Sequence, residues 1–390
     1  MPIVYPYTQY SGIWNISSQA NAKGAGTWPA LTTKLYVWGL NSTGQLGLNN
    51  TISYSSPKQL ASTVAWSATA SAKSHSISTK ANGTLWSWGD NTYGQLGLGN
   101  TTLYSSPMQV GALTTWTVLS TNSGTGNVPF SMALKSDGTL WGAGRNAYGT
   151  LGNSNTTNVS SFTQVGALTT WSKISVGFGS AIAIKTNGTL WAWGYNGLGQ
   201  LGLNNISNYS SPVQVGSLTT WAKVTSNYYS TAAIKTDGTL WTWGYNSAGQ
   251  LGLGNLTYAW SSPQQVGSLT NWLSVSGVGA SSFAAIKTDG TLWTWGTNGQ
   301  GMLGIGNQND QSSPVQVGAL TTWLSVAGGI YHMIAIKTDG TLWTWGKSSN
   351  GQLGLGNTTS YSSPKQVGAL TGWLTATAGG YGSSARLNSF

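Results

Sequence analysis

The chain has 390 residues, of which 39% are hydrophobic and only 6% charged. Sixteen Lys and Arg stand against six acids, all of them Asp, giving a formal net charge of +10, and there is no Cys or Glu. This allows a large core under a Ser-, Thr-, Asn- and Gly-rich surface, and excludes a disulfide framework, a thiolate metal site and a cysteine nucleophile.

The opening stretch MPIVYPYTQYSGIW has neither the charged n-region nor the apolar segment of a secretion signal. No run of about 18 apolar residues follows to cross a membrane. Residues 1–33 read as an arm too short to fold alone. The arm carries Tyr5, Tyr7, Tyr10, Trp14 and Trp28, and so much aromatic surface is expected to attach to a partner.

From Lys34 the chain repeats. An alternating strand ending in Trp-Gly falls at Trp38, Trp88, Trp193, Trp243, Trp295 and Trp345, with Ala143 in the same slot of one copy. That makes seven copies at intervals of 50 to 55 residues. GQLGL follows from Gly44, Gly94, Gly199, Gly249 and Gly351, and in altered form from Gly149 and Gly301. A glycine-rich loop after a strand cradles phosphate when it opens a helix. Here each loop runs on into another short strand, so the glycines read as turn and close-packing residues.

Asn-Gly or Asp-Gly separates the second and third strands of each repeat, as a two-residue hairpin requires. Of the 22 tryptophans, twelve lie in third-strand slots and seven head first strands, a regularity that reads as core framework. Four strands repeated seven times predict an all-β, seven-bladed β-propeller over residues 34–390. Residues 34–39 lack a preceding first and second strand, whereas 373–380 and 383–390 supply those two with nothing after. The termini are therefore expected to share one blade and close the ring.

Catalytic groupings are scarce. Four Asp occupy hairpin turns, leaving Asp90 and Asp310, and the two histidines, His75 and His332, read as loop residues between first and second strands. Neither a nucleophile with its base, a carboxylate pair nor a metal-ligand cluster is legible. A non-enzymatic protein without cofactor is expected. Lys80, Lys135, Lys185, Lys235, Lys287 and Lys337 share one repeat slot. They should form a ring, not the concentrated basic face of a nucleic-acid binder.

The loop between first and second strands varies most. It holds Phe178, Tyr228, Tyr229, Phe283, Tyr331, His332 and Tyr381, and one copy is five residues longer within TNSGTGNVPF (121–130). With Trp260, in a one-residue extension elsewhere, these form a candidate interaction rim for protein or glycan. Taken singly, each also reads as ordinary loop drift.

The pattern AIKTDGTLWTWGYNSAGQLG followed by SSPxQVG resembles the regulator of chromosome condensation repeat family over about residues 34–390. The resemblance implies a seven-bladed propeller. For function it implies a range: the eukaryotic founder exchanges nucleotide on a small nuclear GTPase and contacts chromatin, while other relatives adhere or inhibit β-lactamases. No segment matches the exchange factor's inserted wedge. Separately, QYSGIWNISSQANAKGAGTWP (9–29) resembles N-terminal segments of tailed-bacteriophage structural proteins. The resulting expectation is a virion protein on the particle exterior, held to other virion proteins by its arm and touching a host protein or glycan. A soluble protein-binding or inhibitory propeller is the alternative, and a GTPase exchange factor comes after it.

Overall fold

The structure, a computed structural model, describes residues 32–122, 128–279 and 281–389. Its 28 strands form seven four-stranded sheets, and no helix occurs among the described residues. Blades one to six begin at Trp66, Trp116, Trp171, Trp221, Trp272 and Trp323; blade seven joins Trp373–Ala378 and Gly382–Ser389 to Thr32–Gly39 and Tyr54–Leu60.

Blade four shows how sequence makes a blade. Its strands are Trp221–Ser226, Ser230–Lys235, Leu240–Tyr245 and Ala259–Gln265, antiparallel in that order. First strands of neighbouring blades touch one another, so they surround the ring axis. Only the head residue Trp221 is buried there, whereas the second strand is buried along nearly its whole length. Asp237 opens the hairpin that follows: the Thr239 N–H and hydroxyl donate to its carboxylate at 2.9 and 2.7 Å. The Trp241 indole N–H then donates to Thr239 Oγ1 at 2.8 Å, so one short motif fixes both the turn and a large side chain.

The blades are stitched together by the GQLGL loops. The Gln200 carbonyl of blade three accepts from Trp243 Nε1 at 2.9 Å and Thr231 Oγ1 at 3.0 Å, both in blade four. A Cβ on Gly202 would lie 2.7 Å from Trp243 Nε1, and its φ is +73°. Only glycine lets the loop pass that close. The turn and close-packing role expected of these glycines thus serves as a blade-to-blade clasp.

Closure uses the same clasp. Thr32 to Gly39 pairs in unbroken register with Ser389 to Gly382, two residues earlier than the repeat pattern places the strand. Trp38 Nε1 and Ser383 Oγ both donate to the Gln352 carbonyl, at 2.9 and 3.0 Å. Closure thus leaves neither Thr32–Gly39 nor Gly382–Ser389 with an unpaired edge to template aggregation.

The lysine ring belongs to the framework. Lys235 Nζ lies 3.6 Å from the ring centroid of Trp241 and 5.1 Å from that of Trp221, and the arrangement recurs in blades one to six. Burial against the indoles lowers the lysine pKa values. In blade seven Leu387 takes the lysine slot opposite Trp373, and Tyr36 packs edge-on against Trp373 at 5.5 Å.

Candidate interaction face

One end of the ring carries the loops between first and second strands together with the GQLGL turns. There the chain places Tyr148 of blade two, Phe178 and Tyr195 of blade three, and Tyr228, Tyr229, Tyr245 and Tyr258 of blade four. Their rings form one network. Phe178 lies 4.5 Å from Tyr228 and 5.1 Å from Tyr229 between centroids, and Tyr228 lies 4.2 Å from Tyr229. The network continues through Tyr195 to Tyr148 at 4.9 Å, and through Tyr245 to Tyr258 at 5.3 Å.

All seven rings are half-buried or exposed, Tyr258 most of all at 63%. The loops beneath are tied down: the Phe178 N–H donates to the Tyr228 carbonyl at 3.0 Å, and the buried Asn227 carboxamide accepts from the Ser230 N–H at 2.8 Å. Tyr229 is held neutral, its pKa raised by burial first and then by the neighbouring Tyr228. Apart from the network, the Arg145 guanidinium of blade two sits 4.8 Å from the Tyr93 ring centroid of blade one. A second, smaller pair, Tyr331 and Tyr381, meets at 6.2 Å in blades six and seven, with Lys347 Nζ 5.3 Å from the Tyr331 ring centroid.

Of the residues expected at the rim, Phe178, Tyr228, Tyr229, Tyr331 and Tyr381 stand at this end, half-exposed. Phe283 does not. It is fully buried in the second strand of blade five, stacked on Trp295 at 5.9 Å, because that strand lies inside the blade and is buried on both faces. His332 is also corrected: it begins a second strand, is fully buried, and its Nε2 lies 2.8 Å from Ser383 Oγ of blade seven. His75 repeats this arrangement, 3.0 Å from Ser131 Oγ of blade two. Burial pushes His332 down to about 3, and His75 to about 4 despite the opposing pull of the Asp90 carboxylate.

Trp260 pairs with Gly244 as Tyr209 pairs with Gly194. It fills a repeated tyrosine slot in the outer strand and is half-buried. The residue displayed by the extension is Tyr258, whose carbonyl accepts from the Asn246 N–H at 2.8 Å. Residues 123–127, within the lengthened loop, and Tyr5, Tyr7, Tyr10, Trp14 and Trp28 of the arm lie outside the described residues.

Asp90 and Asp310 are turn anchors. Asp90 accepts from Thr92 Oγ1 at 2.6 Å and Gln95 Nε2 at 2.9 Å; Asp310 accepts from the Asn298 N–H at 2.7 Å. No three His or Asp side chains come together among the described residues. The surface chemistry of this end is therefore chiefly aromatic, with cations at Tyr93 and Tyr331.

The sequence profile of the RCC1-like domain matches residues 127–385, about two thirds of the chain. The chain belongs to the RCC1-like domain family. The Regulator of chromosome condensation (RCC1) repeat matches residues 34–78 and 82–126 of this RCC1-like propeller as well. No curated protein matches the sequence. Human WBSCR16 superposes with a TM-score of 0.82 at 20% identity, covering 92% of this chain and 100% of that one. Prp20p from Saccharomyces cerevisiae, described with its binding properties to Gsp1p and histones, gives 0.80 at 20% identity over 93% and 92% of the two chains. Yeast RCC1 (Prp20) bound by Kap60 gives 0.80 at 19% identity over 100% and 97%. At these identities the likeness shows the fold.

Proposed function

We propose that this RCC1-like propeller is a non-catalytic binding protein, and that the aromatic face of blades two to four receives a protein partner. The observation that carries this is the seven-ring network centred on Phe178, Tyr228 and Tyr229. It is contiguous across three blades, open to solvent and held by backbone hydrogen bonds. Tyrosine offers large contact area at low entropic cost and is enriched among residues that dominate binding energy. The framework does not require a ring in these slots: that of Tyr195 and Tyr245 holds Leu40, Thr297 and Lys347 in other blades, and that of Tyr229 holds Ser74 and Ser281. That the yeast relatives bind Gsp1p, histones and Kap60 supports protein binding on this fold and leaves the partner's identity to experiment.

The test is capture from native extract by wild type and by Tyr228→Ser/Tyr229→Ser, compared by quantitative mass spectrometry. A protein retained by wild type and depleted with the variant supports the reading; identical capture by both refutes it. Display on a bacteriophage particle is a second proposal, supported by residues 9–29 alone. Deleting residues 1–31 should leave thermal unfolding unchanged and abolish incorporation into particles; normal incorporation would refute attachment through the arm.

A further inference from the structure

The other end of the ring carries the Asp-Gly hairpins and the loops that lead from each outer strand into the next blade. Three residues before the head tryptophan, six of the seven loops bear a leucine: Leu113, Leu168, Leu218, Leu269, Leu320 and Leu370, all 46–54% exposed, with Thr63 in the seventh. In blades five to seven a second leucine follows the tryptophan directly: Leu273, Leu324 and Leu374, 38–54% exposed. Scattered exposed leucines are ordinary. The same exposed slot filled six times, with three more leucines clustered on adjacent blades, makes an apolar surface of the kind that marks an interaction site.

The charge at this end is one-sided. Lys34, Lys173, Lys223 and Arg386 stand here, Lys173 and Lys223 exposed, with the six clamped lysines buried or half-buried behind them, against only the four hairpin aspartates. Clefts of about 350 to 420 Å³ run between blades from Leu320, Leu218 and Leu370 to the glycine loops at Gly304, Gly202 and Gly354. The first two are lined by the clamped lysine and both its tryptophans, Lys337 and Lys235 respectively. Leucine, tryptophan and lysine together are the side chains that settle at a membrane–water interface. The leucines bury in the acyl boundary, and the exposed Lys173 and Lys223 meet anionic headgroups.

We infer that this end of the propeller docks on the surface of an anionic lipid bilayer. Ring geometry favours a flat partner. Equivalent leucines recur around the axis in six successive blades, so a planar surface can meet all of them at once, while a partner like that proposed for the opposite end would cover about three. The aromatic network at the opposite end is confined to three blades, as one asymmetric partner requires. The two surfaces are independent, and neither proposal rests on the other.

The experiment is flotation of the full chain with vesicles of phosphatidylcholine and phosphatidylglycerol, or of phosphatidylcholine alone. Wild type should float with the anionic vesicles, and raising salt to about 0.5 M should weaken this about tenfold or more. Leu273→Ser/Leu324→Ser/Leu374→Ser should lose about tenfold or more with an unchanged melting transition. Lys173→Glu/Lys223→Glu supplies the same test through charge alone, and Tyr228→Ser/Tyr229→Ser should float as wild type does. The inference is overturned if wild type floats with neither vesicle, or floats equally with both. It is also overturned if the leucine variant loses self-association in sedimentation while vesicle binding is unchanged, for then the face joins two copies of the chain.

Discussion

Acid should unfold this propeller through two imidazoles well before its aspartates take part. His75 and His332 are fully buried at blade-to-blade contacts, and burial pushes their pKa values down to about 4 and about 3. In the unfolded chain both return to about 6.5. A folded pKa below the unfolded one means that the neutral form is favoured on folding. The contribution is complete above pH about 6.5 and is lost as pH falls toward the folded values. At about 1.4 kcal/mol per unit, moving from pH 7 to about 4.5 should remove about 5 kcal/mol from the two sites together. The hairpin aspartates, held low by the Thr hydroxyls beside them, lose their contribution only at lower pH. Urea unfolding at pH 7, 6, 5 and 4.5 reads the slope. His75→Ser/His332→Ser should flatten it, serine being the residue of that slot in blades three to five. The reasoning fails if the double variant keeps the wild-type slope, or if wild type loses less than about 1 kcal/mol over that range.

Gly202→Ala should cost about 1–3 kcal/mol, because it adds a Cβ against the Trp243 indole at a positive φ; an unchanged urea midpoint would contradict the clasp. Removing residues 373–390 strips two strands from blade seven and uncovers the edge of Thr32–Gly39. The truncated chain should aggregate in light scattering, and a soluble, cooperatively unfolding product would argue against closure as a source of stability.

Repeat, blade and closure were legible because their signals are local and recur: Trp-Gly, Asp-Gly and the GQLGL turn each fix a short stretch of backbone. The two incomplete ends then specify the shared blade. What escaped depends on facing and adjacency. His75, Phe283 and His332 look like loop residues, yet each lies within the first two positions of a second strand that is buried on both faces, so where the strand begins decides between rim and core. The aromatic network escaped for another reason. Tyr148, Tyr195 and Tyr245 occupy slots other than that of Phe178 and Tyr228, and only the packing of neighbouring blades brings the two sets together. The residue after Trp-Gly, which varies from Leu40 to Lys347, carried the signal. The lysine slot was legible as a ring, but its clamping between two indoles needed the register of three strands.

The central claim, that the aromatic face binds a protein, is tested most directly by calorimetric titration of the captured partner. Wild type is to be compared with Tyr228→Ser/Tyr229→Ser and with Leu273→Ser at the opposite end. Truncating a pair of central rings should weaken binding by about 30-fold or more, the loss expected for about 2 kcal/mol at a dominant contact. Leu273→Ser should leave the affinity unchanged. Equal affinity for wild type and the tyrosine variant would contradict the account.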